Sequence, residues 1–122
     1  MEVNNPQYFD HILDDDGNKW KRKQISYLGW DMNMLPAMSV AHGLTVAQSK
    51  TVSIESVMIL PKAGTPYESL SYFQNLNDPD LLGGGVKYVN DTHIFVERRG
   101  GGHFDDAAHD NSDLYITFWY KE

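Results

Sequence analysis

The segment Leu114-Tyr115-Ile116-Thr117-Phe118-Trp119-Tyr120 constrains the fold more than any other part of the chain. Leu114, Ile116, Phe118 and Tyr120 recur at every second position, with Tyr115, Thr117, Trp119 and Lys121 between them, so each set lies on one face of a strand. A helix would scatter the same residues around its circumference. Upstream, Ile94 to Arg99 reads as a second strand. It is joined to the first by Gly100-Gly101-Gly102-His103-Phe104-Asp105-Asp106, and the expectation is a glycine-hinged hairpin.

The same alternation recurs along the chain. Tyr8 to Leu13 and Trp20 to Leu28 flank Asp14-Asp15-Asp16-Gly17-Asn18, a set of turn formers that predicts a hairpin. Gly29 to Met34 extends the second strand. Thr51 to Leu60 is rich in β-branched residues and reads as a central strand, stopped by Pro61, which cannot donate to a ladder. Tyr67 to Phe73, Val86 to Val89 and His93 to Arg98 add strands, with Asn90-Asp91 as a tight turn. Leu44 to Lys50 has room for one helical turn. About seven to nine short strands separated by turn signals predict an all-β fold, a single antiparallel β-sandwich. One domain is expected over residues 1–122, with residues 1–18 as an N-terminal hairpin or anchoring arm.

Composition removes several chemistries. With 122 residues and a net charge of −7, the chain does not look like a binder of nucleic-acid phosphates. The run Lys19-Trp20-Lys21-Arg22-Lys23 is its one basic stretch and reads as a solvated strand face. There is no cysteine, so thiol catalysis, disulfides and sulfur-ligated zinc are excluded. No apolar run approaches the roughly 20 residues needed to cross a bilayer, and Met1 to Pro6 lacks a signal pattern. A soluble protein with no membrane partner is expected.

No motif commits the chain to catalysis. Gly83-Gly84-Gly85 is followed by a strand instead of a helix, so it reads as a flexible loop and not as a phosphate cradle. Counted from Asp14, the twelfth position of a calcium loop holds Ile25 instead of Glu. No Gly-x-Ser-x-Gly string is present. His103, Asp105, Asp106, His109 and Asp110 lie within eight positions, but with neither zincin nor EF-hand spacing; a solvated loop with Asp105 or Asp106 capping a turn is expected over a metal site. No cofactor, metal ligand or catalytic residue is therefore assigned. His42 is expected to close a strand with a ring nitrogen bonded to backbone. Trp30 and Trp119 read as core residues before sugar platforms. Tyr67, Tyr72 and Tyr88 border the long loop at 74–85 and are the better candidates for contact with a ligand.

Gly29-Trp30-Asp31-Met32, Ala41-His42-Gly43-Leu44, Ser56-Val57-Met58-Ile59, Arg98 to Asp106 and Tyr115 to Tyr120, in that order, resemble a small β-sandwich domain of tailed-bacteriophage virion proteins, similar in shape to H-type lectins. The resemblance covers about residues 20–122. It implies a structural or binding module, not an enzyme, that assembles as a homotrimer with no cofactor and meets other virion proteins. It further implies a place on the virion after synthesis in the host bacterial cytoplasm. Because the domain fills the chain here, the expectation is a head decoration, head-fibre or tail-adaptor subunit held on the particle by residues 1–18. Arg98, Arg99, His103 and Asp105 match the family's loop motif, and Tyr115, Thr117 and Trp119 offer an aromatic face for copies of the chain. The alternative reading is a carbohydrate-binding module that attaches the particle to host or mucosal glycans. A metal-dependent hydrolase built on His103 and His109 is a remote third.

Overall fold

The computed structural model describes residues 11–62, 67–71 and 83–122. Its strands are β1 (His11–Leu13), β2 (Lys19–Trp30), β3 (Ala37–Ala41), β4 (Ser53–Leu60), β5 (Glu68–Ser69), β6 (Gly84–Val89), β7 (His93–Arg98) and β8 (Ser112–Lys121). One helical turn, α1 (Val46–Ser49), precedes β4, and a 3-10 turn (Ala107–His109) precedes β8. All pairings are antiparallel, in a five-stranded sheet of order β1-β2-β8-β4-β5 and a three-stranded sheet of order β3-β7-β6. The fold is all-β and sandwich-like, as the alternating pattern predicts.

The core gathers the inward residues of both sheets. Leu114, Ile116 and Phe118 of β8 meet Val57 and Ile59 of β4, Ile94 and Val96 of β7, and Trp30 at the end of β2. Met32, Leu70 and Phe104 enter from loops. The buried Trp30 ring keeps its indole N–H satisfied by donating 2.9 Å to the Leu35 carbonyl. Burying large side chains of this type stabilises by roughly 1.5–3 kcal/mol each.

The turns follow their residues. Gly17 takes φ +81°, and the Asp14 carboxylate accepts from the Asp16 and Asn18 amides, which closes the β1–β2 hairpin. The Asn90 side chain accepts from the Thr92 and His93 amides at the β6–β7 turn. Thr45 and Gln48 form a reciprocal capping box on α1. Buried His42 accepts the Leu44 amide at Nδ1, 3.0 Å, which makes Nε2 the donor to the Asn90 carbonyl at 2.9 Å. This is the backbone-bonded histidine expected at the end of β3.

Several expectations are corrected. β7 and β8 do not form a hairpin: they lie in different sheets, and the Gly100–Gly102 loop crosses between them. β8, paired along its length with β2 and β4, is the middle strand of the larger sheet, while β4 lies inside the sheet with, among the described residues, the two-residue β5 beyond it. The second strand ends at Trp30, because Asp31 to Met34 turn, with the Leu35 amide donating to the Asp31 carbonyl. Gly84 and Gly85 belong to β6, not to a flexible loop. The close pass of β6 over β7 requires glycine, since a Cβ at Gly84 would stand 2.2 Å from the Glu97 carbonyl oxygen.

The basic run is also not one solvated face. Lys21 and Lys23 pair with Tyr120 and Phe118 and so share the inner side of β2, where Lys23 Nζ donates 2.7 Å to the His42 carbonyl and ties the two sheets. Of the strand expected over Tyr67 to Phe73, only Glu68–Ser69 pairs among the described residues; Tyr72 and Phe73 lie outside them, as do residues 1–10 of the expected arm and 74–82 of the long loop.

Candidate functional site

The loop that carries the chain from β7 to β8 is built from the inside out. Arg98, the last residue of β7, is buried, and its guanidinium donates to the carbonyls of Met32 and Asn33. Asp105 faces it at 3.2 Å and also accepts the Gly101 amide at 2.7 Å, so this carboxylate caps a turn and neutralises a buried cation. Those bonds fix the loop's first half. Phe104 then drops fully into the core, which corrects the solvated-loop reading of this segment.

Phe104 is flanked by two imidazoles. His103 and His109 meet its ring edge-on at centroid distances of 4.8 and 4.9 Å, and their own rings stand 5.2 Å apart. Both converge on Glu68 of β5: His103 Nε2 lies 2.6 Å from Oε2, and His109 Nε2 lies 3.4 Å from Oε1. His109 is brought there by the 3-10 turn, and its Nδ1 is bound to Asp106 at 2.8 Å. Ser112 donates 2.7 Å to the His109 carbonyl and holds the turn against the start of β8. Beyond it, Asp110 shares a hydrogen bond with Asp31, which with burial and the Asp31 charge holds the Asp110 carboxyl above its usual range. Oδ1 of each of these two carboxyls is buried without a hydrogen-bond partner.

A second feature is the outer face of the five-stranded sheet. The register places Ile12, Trp20, Arg22, Trp119 and Lys121 on that face. The Trp119 indole donates 3.0 Å to Glu55, which also receives Nε and Nη2 of Arg22 at 3.1 and 2.7 Å. These bonds, from Arg22 first, hold the Glu55 carboxyl below the usual range. The Trp20 indole donates 2.8 Å to Asp14, and this bond leads the causes that lower the Asp14 carboxyl. Ile12, Asp14, Trp20, Ser53 and Trp119 line a shallow concavity. The neighbouring β1 edge leaves Ile12 51% and Leu13 68% exposed.

The expected contact residues are spread over the molecule. Tyr67 pairs with Tyr115 at 6.0 Å on the outside of the larger sheet, and burial raises its phenol above the usual range. Tyr88 pairs with Phe95 at 4.3 Å on the outside of the smaller one, so these tyrosines serve opposite faces. Arg99 is exposed beside the Gly83 carbonyl, to which its amide donates. Asp105 is committed to Arg98, and His103 belongs to the histidine cluster. Tyr72 lies outside the described residues. Trp119 is half-buried on the outer sheet face, the side on which it is expected as a partner contact and not the core side, and Thr117 beside it is covered, with Gln24 donating to its hydroxyl.

Glu68 was not legible as a site residue. It precedes His103 by 35 positions, and only the β4–β5 pairing carries it to the crossing loop. The Asp106 to His109 spacing of three is the local signal of the cluster, since one tight turn brings such a pair together. Comparison of the chain with protein-family models, with curated proteins and with solved structures gave no match.

Proposed function

We propose that this protein is a structural subunit of a tailed-bacteriophage particle, acting through protein–protein interfaces and not as an enzyme. The observation that carries the reading is the apolar outer margin of the larger sheet. There Ile12 stands exposed on β1, and Trp20 and Trp119 continue the apolar surface inward, while Leu13, opposite Lys19, is exposed on the other side of the same strand. Exposed large apolar side chains gathered on one margin form a surface that a second chain covers. The phage-domain resemblance supplies the assembly context and favours a homotrimer.

Light scattering at high micromolar concentration is expected to give the mass of an oligomer, and Leu13→Lys with Ile12→Lys to shift it toward the monomer. A monomer throughout overturns self-assembly.

One observation favours the glycan-binding reading. Trp20 and Trp119 flank a shallow concavity whose rim carries Asp14 and Ser53, and indole faces beside polar acceptors suit the C–H faces of sugar rings. Binding to a glycan array that Trp20→Ala and Trp119→Ala both abolish would establish it, and an array with no hit removes it.

A further inference from the structure

Glu68, His103 and His109 converge although they come from separate parts of the chain. One donor atom from each lies within 4.8 Å of the others. In a tetrahedral site with bonds of about 2.0–2.1 Å, ligand atoms stand about 3.3 Å apart, so small side-chain rotations close this set on an ion. The observed separations of 2.6 and 3.4 Å from the Glu68 oxygens to the two Nε2 atoms bracket that distance.

The orientation of His109 carries the point further. Its Nδ1 is engaged by the Asp106 carboxylate, which only a donated N–H satisfies. In the neutral ring, Nε2 is then a lone pair, and it faces a carboxylate oxygen of Glu68. Two acceptors turned toward each other require a positive centre between them, either a proton or a metal ion. A carboxylate behind an imidazole whose other nitrogen faces the ion is the arrangement that orients metal-ligating histidines.

The surroundings favour a metal. Phe104 is wedged against both rings from the core side and restricts their rotation. The donor set of two imidazoles and one carboxylate suits zinc and its neighbours, with a remaining position for water. His103 and Glu68 are each 16% exposed in their side chains, which leaves a path for an ion from solvent.

We propose that Glu68, His103 and His109 form a binding site for a zinc-class divalent ion, with Asp106 orienting His109. The ion ties edge strand β5 to the loop that crosses between the sheets. This site is independent of the assembly reading and requires no catalysis.

The full chain, stripped with chelator and returned to chelator-free buffer, is titrated with Zn²⁺ by calorimetry and with Co²⁺ by visible absorption. The expected result is one ion per chain, the intense absorption of low-coordinate cobalt displaced by zinc, and a melting midpoint that rises with zinc. Glu68→Gln and His103→Ala are expected to abolish stoichiometric binding. Asp106→Asn is expected to weaken it about 10–100-fold. His93→Ala, on the outside of the smaller sheet, is expected to leave it unchanged. His109 is buried, so the test rests on Glu68→Gln and the exposed Asp106→Asn, with circular dichroism of each metal-free variant confirming the fold. Absence of stoichiometric binding overturns the proposal and leaves a proton in the cluster. Binding that is unchanged in both Glu68→Gln and Asp106→Asn also overturns it.

Discussion

Glu55 shows what a single side chain does on the outer sheet face. It accepts two bonds from Arg22 and one from Trp119, and so fixes both residues across three neighbouring strands. Its carboxyl is held below the usual range, so the folded state binds the proton more weakly than the unfolded chain does. The contribution is therefore present above the unfolded value near 4.5 and is lost as pH falls through the folded one. Glu55 is 39% exposed in its side chain, so solvent screening keeps this contribution below about 1 kcal/mol. Glu55→Gln is expected to destabilise slightly at pH 7 and less at a pH well below 4.5, as measured by chemical denaturation at both values. An equal loss at both would assign the effect to the hydrogen bonds and not to the charge. Trp119 was legible as an outer-face residue from its period of two, but its partner was not. Its Nε1 has a carboxylate partner outside the core, and that partner sits on β4, 64 positions away.

At the scale of elements, alternation marks strands well and says little about which strand lies beside which. β8 and β7 are both evident in the sequence, and they end up in different sheets because Arg98 and Phe104 pull the intervening loop across the core instead of letting it turn tightly. Gly84 and Gly85 lie in β6 and not in the expected flexible loop for a related reason. Glycine signals either freedom or close approach, and only the neighbour decides which. The consequence is testable by a pair of substitutions in one strand. Gly84→Ala places a methyl against the Glu97 carbonyl, which is backbone and yields little, so a loss of about 2–3 kcal/mol is expected. Gly85→Ala meets nothing within 4 Å and is expected to be neutral or mildly stabilising, because it reduces the freedom of the unfolded chain. Urea denaturation of both variants checks the contrast. Equal effects would mean that β6 is not held against β7 as described.

For the whole molecule, the sheet order sets a gradient of local stability. β8 is paired on both sides over most of its length, and Ile116, Thr117 and Phe118 at its middle are buried, so their amides become accessible only when the sandwich opens as a unit. Among the described residues β1 pairs with β2 alone, over three residues with no buried side chain, so it detaches without disturbing the core. Amide hydrogen exchange of dilute protein is expected to be slowest at residues 116–118, fast at 11–13, and intermediate in β3, an edge strand of the smaller sheet whose ladder to β7 is continuous. Protein concentration then becomes the informative variable. If the exposed Ile12 and Leu13 are an interface, exchange at residues 11–13 slows as concentration rises while that of residues 116–118 does not, because association covers the edge without changing the global opening. Rapid exchange at β1 that is independent of concentration over the range in which light scattering reports an oligomer would place the interface elsewhere on the sandwich.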